Sequence, residues 1–239
     1  MKYSLVLQQL NIVWVGPLSP YLFTPFWFEK YELLRKEDID KAEVKLNHNS
    51  IFIDFGWVEI TANLNRISFQ LTKSGLEMAL SDLVKSVITL LDNNTTIAIG
   101  INTNYIYKFE NRDDWHKIGD EILPKNIWKE TNKSKLISED LGYHFGMKKV
   151  VLEIANLRTS FDKGRNFEEK INVTINSQPN IDDLDYGIQV NYNHDLKCIN
   201  ESHGLELTKK IPQILDQHVK NAISNDIETT QSLFDRILT

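Results

Sequence analysis

Apolar and polar residues alternate with a period of two along several stretches of this chain. Ile67, Phe69 and Leu71 alternate with Arg66, Ser68 and Gln70, and Ile171, Val173 and Ile175 alternate with Asn172, Thr174 and Asn176. Tyr186, Ile188, Val190 and Tyr192 do the same against Gly187, Gln189 and Asn191, and residues 97–109 hold the pattern for an unusually long run. Successive side chains of a strand point to opposite faces, so each stretch predicts a strand with one buried and one wet face. That is antiparallel chemistry, because parallel strands covered on both faces read as unbroken apolar runs.

Turn residues separate these runs. Asn47-His48-Asn49-Ser50 lies between apolar stretches at 42–46 and 51–55, and Asn63-Leu64-Asn65 between 57–62 and 66–71. Asn tolerates positive φ, so both predict hairpin loops. Gly56 marks a bulge or bend between two strands of one ribbon.

A different period appears behind Ser74-Gly75-Leu76-Glu77, which has the form of a capping box. Leu76, Leu80, Leu83, Val84, Val87, Ile88 and Leu91 then share one helical face. A second helix is predicted from Leu207, Ile211, Ile214, Leu215, His218, Val219 and Ala222, with Pro212 in its first turn, where a missing N–H costs little. A terminal helix over 226–238 buries Ile227, Phe234 and Ile237, and shorter helices are predicted over 113–122 and 125–131.

The predicted fold class is therefore α+β, with antiparallel sheet packed by long helices. Strands followed by a long helix occur twice, which suggests two similar strand-strand-strand-helix lobes, residues 1–128 and 129–239. The polar stretch 129–138 is the candidate boundary, and a single domain is the alternative. The strand at 5–15, the aromatic segment near Phe26, and the run Leu215-Asp216-Gln217-His218 leading to Phe234-Asp235 resemble a sporadically distributed family of uncharacterised prokaryotic proteins of about this length. The resemblance carries no activity or site residues with it. It implies an accessory role in a prokaryotic defence or mobile-element system.

Composition narrows the function classes. The 239 residues are 41% hydrophobic and 25% charged, values of an ordinary globular chain rather than a disordered one. A net charge of −6 argues against a chain devoted to coating DNA or an acidic membrane, which requires a positive field. The one cysteine, Cys198, allows no intrachain disulfide and reads as a small core-filling residue. With Gln8, Gln9 and Asn11 in its first fifteen residues, the start of the chain lacks a secretory pattern, and no apolar run has the length of a membrane span. A cytoplasmic protein is expected.

Candidate chemistry is sparse. Asp182, Asp183 and Asp185, with His194 and Asp195 further on, have the donor types that hold a divalent ion and activate water. Their spacing matches no EF-hand loop, and an acidic turn before a strand explains the same residues. Asp185 and His194 would stand at opposite ends of that strand, too far apart for one ion. Glu201 and His203 form a possible acid–base pair, for which helix entry capped by Ser202 is the simpler account. His218 falls on an apolar helix face, as a core histidine would. No HExxH, GxSxG, paired CxxC or Gly-rich phosphate loop is present.

For nucleic acid, Lys125, Lys129, Lys133, Lys135, Lys148 and Lys149 interleave with Trp128, Tyr143, His144 and Phe145, a pattern suited to phosphate contact and base stacking. Asp120, Glu121, Glu130, Glu139 and Asp140 bring that stretch almost to charge balance. The most informative segment is 17–28, where three prolines leave little regular structure around Tyr21, Phe23, Phe26, Trp27 and Phe28. Aromatic side chains are what binding hot spots use, although a lid over the core uses them as well. The expectation is a non-enzymatic protein-interaction or oligomerisation module that binds a protein partner or itself, with no cofactor and no membrane. A metal-dependent hydrolase or nuclease and a nucleic-acid binder are the alternatives.

Overall fold

The structure is a computed structural model, and it describes residues 2–124, 147–157, 166–177 and 184–239. The described residues form nine strands in one antiparallel sheet and five α-helices, an α+β architecture. In chain order these are β1 (Tyr3–Val15), α1 (Pro25–Lys30), α2 (Lys36–Ile39), β2 (Glu43–Asn47), β3 (Ser50–Asp54), β4 (Val58–Asn63) and β5 (Arg66–Leu71). Then follow α3 (Glu77–Leu90), β6 (Ala98–Phe109), α4 (Arg112–Ile122), β7 (Lys149–Leu157), β8 (Phe167–Asn176), β9 (Gly187–Cys198) and α5 (Gly204–Leu238). None of the described helices is long and apolar enough to cross a membrane.

The strand order is β2-β3-β4-β5-β1-β6-β9-β8-β7. Both halves of the chain wind the same way. Each opens with a central strand, β1 or β6, jumps to an outer edge, meanders back, and ends in a helix laid on the sheet. β1 and β6 pair antiparallel along nearly their whole length, from Tyr3 opposite Phe109 to Val15 opposite Ala98. One ladder of main-chain hydrogen bonds thus joins the two predicted lobes, and it continues from β6 to β9 across residue 129.

Outside β7, the helix-facing side chains follow the alternation. Ile12, Trp14, Ile53, Ile60, Ile67 and Phe69 are buried in one cluster with side chains of α1, α3 and the first half of α5. Tyr105, Tyr107, Phe109, Ile188 and Val190 are buried under α4 and the second half of α5. At 35 residues α5 is about 50 Å long, so it spans both clusters. Its entry needs Gly204, because a Cβ there would stand 2.1 Å from Thr95 Cγ2 and 2.8 Å from the Thr96 carbonyl oxygen. Beneath it, Trp14 Nε1 donates to Thr96 Oγ1 (2.8 Å), which contacts Thr208 Oγ1 (2.7 Å).

Several local expectations need correction. The helices predicted over 207–222 and 226–238 are one helix, because Asp226 is a buried interior residue rather than an entry residue. Pro212 lies well inside α5 rather than in its first turn, so the Thr208 carbonyl lacks its usual donor. The capping box at Ser74 does not form: the N-cap of α3 is Leu76, and Glu77 accepts instead from the Gly75 amide (3.0 Å). Gly56, at φ +82°, turns β3 directly into its antiparallel neighbour β4 rather than bending a continuous ribbon. Asn63 closes its turn through its side chain, accepting from Asn65 and Arg66, and no left-handed Asn is involved. The helix expected over 125–131 lies outside the described residues.

Candidate functional site

The densest polar cluster of the described residues sits between the sheet and α5. Period-two alternation on β9 turns His194 toward the helices, and the turn of α5 above it carries Asp226 inward, 4% exposed. His194 Nε2 lies 3.0 Å from Asp226 Oδ2, and Thr103 Oγ1 of β6 donates to the same oxygen at 2.6 Å. Tyr192 packs its ring parallel to His194 and joins Thr230 of α5 at 2.8 Å. A buried carboxylate survives only when paired and hydrogen-bonded, and Asp226 is both. Nearby, His218 Nδ1 stands 3.8 Å from Glu169 Oε1. The space beside these groups, lined by Ile99, Ile101, Glu169, Leu196 and Ile214 among others, is a cavity of about 10 Å³. That is no more than the room one water needs, so no substrate reaches His194 by that route. The cluster ties β6 and β9 to α5.

The other predicted ionisable groups do not converge. Asp195 points to the opposite face of β9 from His194, where burial raises its carboxyl pKa against the pull of Lys197 and Lys170. Asp185 is exposed in the turn before β9, while Asp182 and Asp183 lie outside the described residues. Among the described residues no three His, Cys, Asp or Glu side chains are grouped to hold a metal ion. The entry to α5 is capped by neither Ser202 nor His203; the Asn200 side chain accepts from the Ser202 amide at 3.1 Å. His203 Nδ1 lies 3.3 Å from Glu206 Oε2 on the exposed surface. Cys198 donates weakly to the Thr96 carbonyl, and burial, aided by Glu206, pushes its thiol pKa up to about 11. A thiol so shifted is a poor nucleophile.

The aromatic segment divides. Phe23 and Phe28 are fully buried and Trp27 nearly so, stacked edge-on with one another and, through Phe28, with Phe55. Helix α1 places them there, with Thr24 capping it through a hydrogen bond from Trp27 N (3.2 Å) and Pro25 at its first position. Those three rings are core and unavailable to a partner. Tyr21 and Phe26 remain exposed, and the Tyr21 hydroxyl donates to the His48 carbonyl in the β2–β3 turn. Of the six lysines, Lys148 and Lys149 are exposed at the start of β7, and Lys125, Lys129, Lys133 and Lys135 lie outside the described residues.

One surface was missed by sequence reading: the outer strand β7. Its pairing with β8 places Val150, Leu152 and Ile154 on the helix-side face with Ile175, Val173 and Ile171. Val151 falls on the other face, and its place in the run Val150-Val151-Leu152 hides the alternation. Val151, Leu152 and Ile154 are 57, 52 and 50% exposed. Among the described residues β8 is the one strand that pairs with β7, leaving its outer main-chain groups open. At the opposite edge, β2 has five residues, with Glu43 and Lys45 alternating with Val44 and Leu46. Short length and charge blunt an edge against pairing; β7 also carries two charges, Lys149 and Glu153, but spreads them over nine residues. No protein-family model and no curated protein matches the chain.

Proposed function

We propose that the chain is a non-enzymatic protein-interaction module that takes an extended segment of a partner polypeptide as an added strand against β7. The observation that supports this reading is the nine-residue outer strand with three half-exposed apolar side chains on its two faces. An added strand satisfies the open N–H and C=O groups, and its alternate side chains cover Leu152 and Ile154 on one face and Val151 on the other. Burying the exposed half of each contributes roughly 1 kcal/mol. The enclosed contact of His194 with buried Asp226 and the raised thiol pKa of Cys198 favour binding over catalysis.

The test is fluorescence anisotropy with a labelled peptide of alternating valine and threonine, together with light scattering of the full chain. Saturable binding by the wild type and its loss in Leu152→Lys and Ile154→Lys is the expected result. Self-association that those variants abolish, with no peptide binding, would assign the edge to a second copy instead. Neither peptide binding nor self-association would end the proposal.

A further inference from the structure

The sheet face turned away from the helices carries a second surface, which borders β7 where Val151 pairs with Thr174. Cross-strand registers align Gln70, Asn11, Asn102, Asn193 and Asn172 in one row over β5, β1, β6, β9 and β8. Two residues along, Gln9, Asn104, Asn191 and Thr174 form the next row. The rows floor a groove of about 600 Å³, and eight of its twelve lining residues are Asn or Gln. The wet face of an antiparallel sheet ordinarily mixes charged and β-branched residues, and Asn is depleted from strands. Six asparagines at the centre of four adjoining strands therefore work against strand formation, and folding alone gives no reason for them.

The two halves of the array differ. On the β1–β6 side the carboxamides satisfy one another: Asn104 Nδ2 donates to Gln9 Oε1 (2.7 Å), and Asn11 Oδ1 accepts from Ser68 Oγ (2.9 Å). Gln189 at the groove margin donates to Asn104 Oδ1 (2.9 Å). On the β8–β9 side, the side chains of Asn172, Asn191 and Asn193 form no hydrogen bond with any described residue. Each offers two donors and an acceptor.

We infer that this face is a binding site for a neutral, hydroxyl-rich ligand, an oligosaccharide, held on Asn172, Asn191 and Asn193. A sugar hydroxyl both donates and accepts, as a carboxamide does, and neither carries charge. Among the described lining residues Lys149 is the one charged side chain, which disfavours a nucleic acid, whose phosphates need several cations. The lining has no apolar side-chain pocket for a peptide. Five strands span about 19 Å across the sheet, room for several sugar rings. The ring of Tyr192 faces α5 and offers no stacking platform on this side, so affinity rests on hydrogen bonds and falls near the millimolar range.

The experiment is a ¹H–¹⁵N NMR titration of the full chain with maltohexaose, cellohexaose and xylohexaose, each to about 20 mM. The side-chain amide signals of Asn172, Asn191 and Asn193 shift saturably with at least one sugar. Asn191→Ala and Asn193→Ala weaken that binding tenfold or more while the backbone spectrum stays dispersed. Leu152→Lys leaves it unchanged, which separates this site from the β7 edge. No saturable shift with any of the three sugars overturns the inference. So does binding that both asparagine variants leave intact, or a response of these amides to the valine–threonine peptide alone.

Discussion

His194 and Asp226 lie 32 residues apart in sequence, and their side chains meet at 3.0 Å beneath α5. The contact decides how the longest helix sits on the sheet, because Asp226 also accepts from Thr103 of β6 and Thr230 bonds back to the Asp226 carbonyl. Removing one member of a buried pair leaves the other unpaired, which costs more than the pair itself contributes. His194→Ala is expected to lower stability by about 3 kcal/mol in urea denaturation. Asp226→Asn retains a hydrogen-bonding group opposite Thr103 and is expected to cost less. A loss as large as that of His194→Ala would mean that the charge on Asp226, rather than its hydrogen-bonding capacity, carries the contact.

Asp195 provides a test through pH. Burial raises its carboxyl pKa in the folded chain above the ordinary 3.8. The folded state therefore holds that proton more tightly than the unfolded chain, and this group disfavours folding once pH rises through the interval between the two values. Its unfavourable contribution is complete at neutral pH and disappears on acidification below that interval. Asp195→Asn is expected to raise Tm at pH 7 and to have little effect at pH 3, measured by thermal unfolding followed by circular dichroism.

The thiol of Cys198, shifted from 9.0 to about 11, is expected to react with iodoacetamide about a hundredfold more slowly at pH 8 than an unperturbed thiol. Mass spectrometry of the alkylated chain reads the rate. A rate equal to that of a free thiol would show that the site opens to solvent faster than alkylation proceeds.

Gly204 is a packing constraint. A Cβ at that position would overlap Thr95 Cγ2 and crowd the Thr96 carbonyl, so Gly204→Ala is expected to destabilise by about 2 kcal/mol. Thr95→Ser removes the methyl group that the new Cβ meets first, and the double variant is expected to recover part of the loss.

Much of this architecture was legible in the chain. Alternation at 66–71, 171–175 and 186–192 identified strands with one wet face, and the 3.6-residue pattern behind Ser74 identified α3. β7 escaped because Val150-Val151-Leu152 is apolar on both faces, the form of a strand that is covered or shared rather than half-wet. The sequence was divided into helices over 207–222 and 226–238, and burial of Asp226 against Thr103 and His194 is what carries the helix through that gap. The aromatic segment could be read as hot spot or as lid, the lid being favoured, since exposure separates Phe23 and Phe28 from Phe26, and exposure is a property of the folded chain.

Outside β7, local patterns were enough to mark the alternating strands, their wet faces and the antiparallel sheet, because the periods of 2 and 3.6 are set by backbone geometry within each segment. The tertiary structure alone decided that β1 pairs with β6, that His194 meets Asp226, and that the carboxamides of five strands fall into rows. Each of these depends on register and on chain reversals tens of residues apart, and no short-range pattern carries that information.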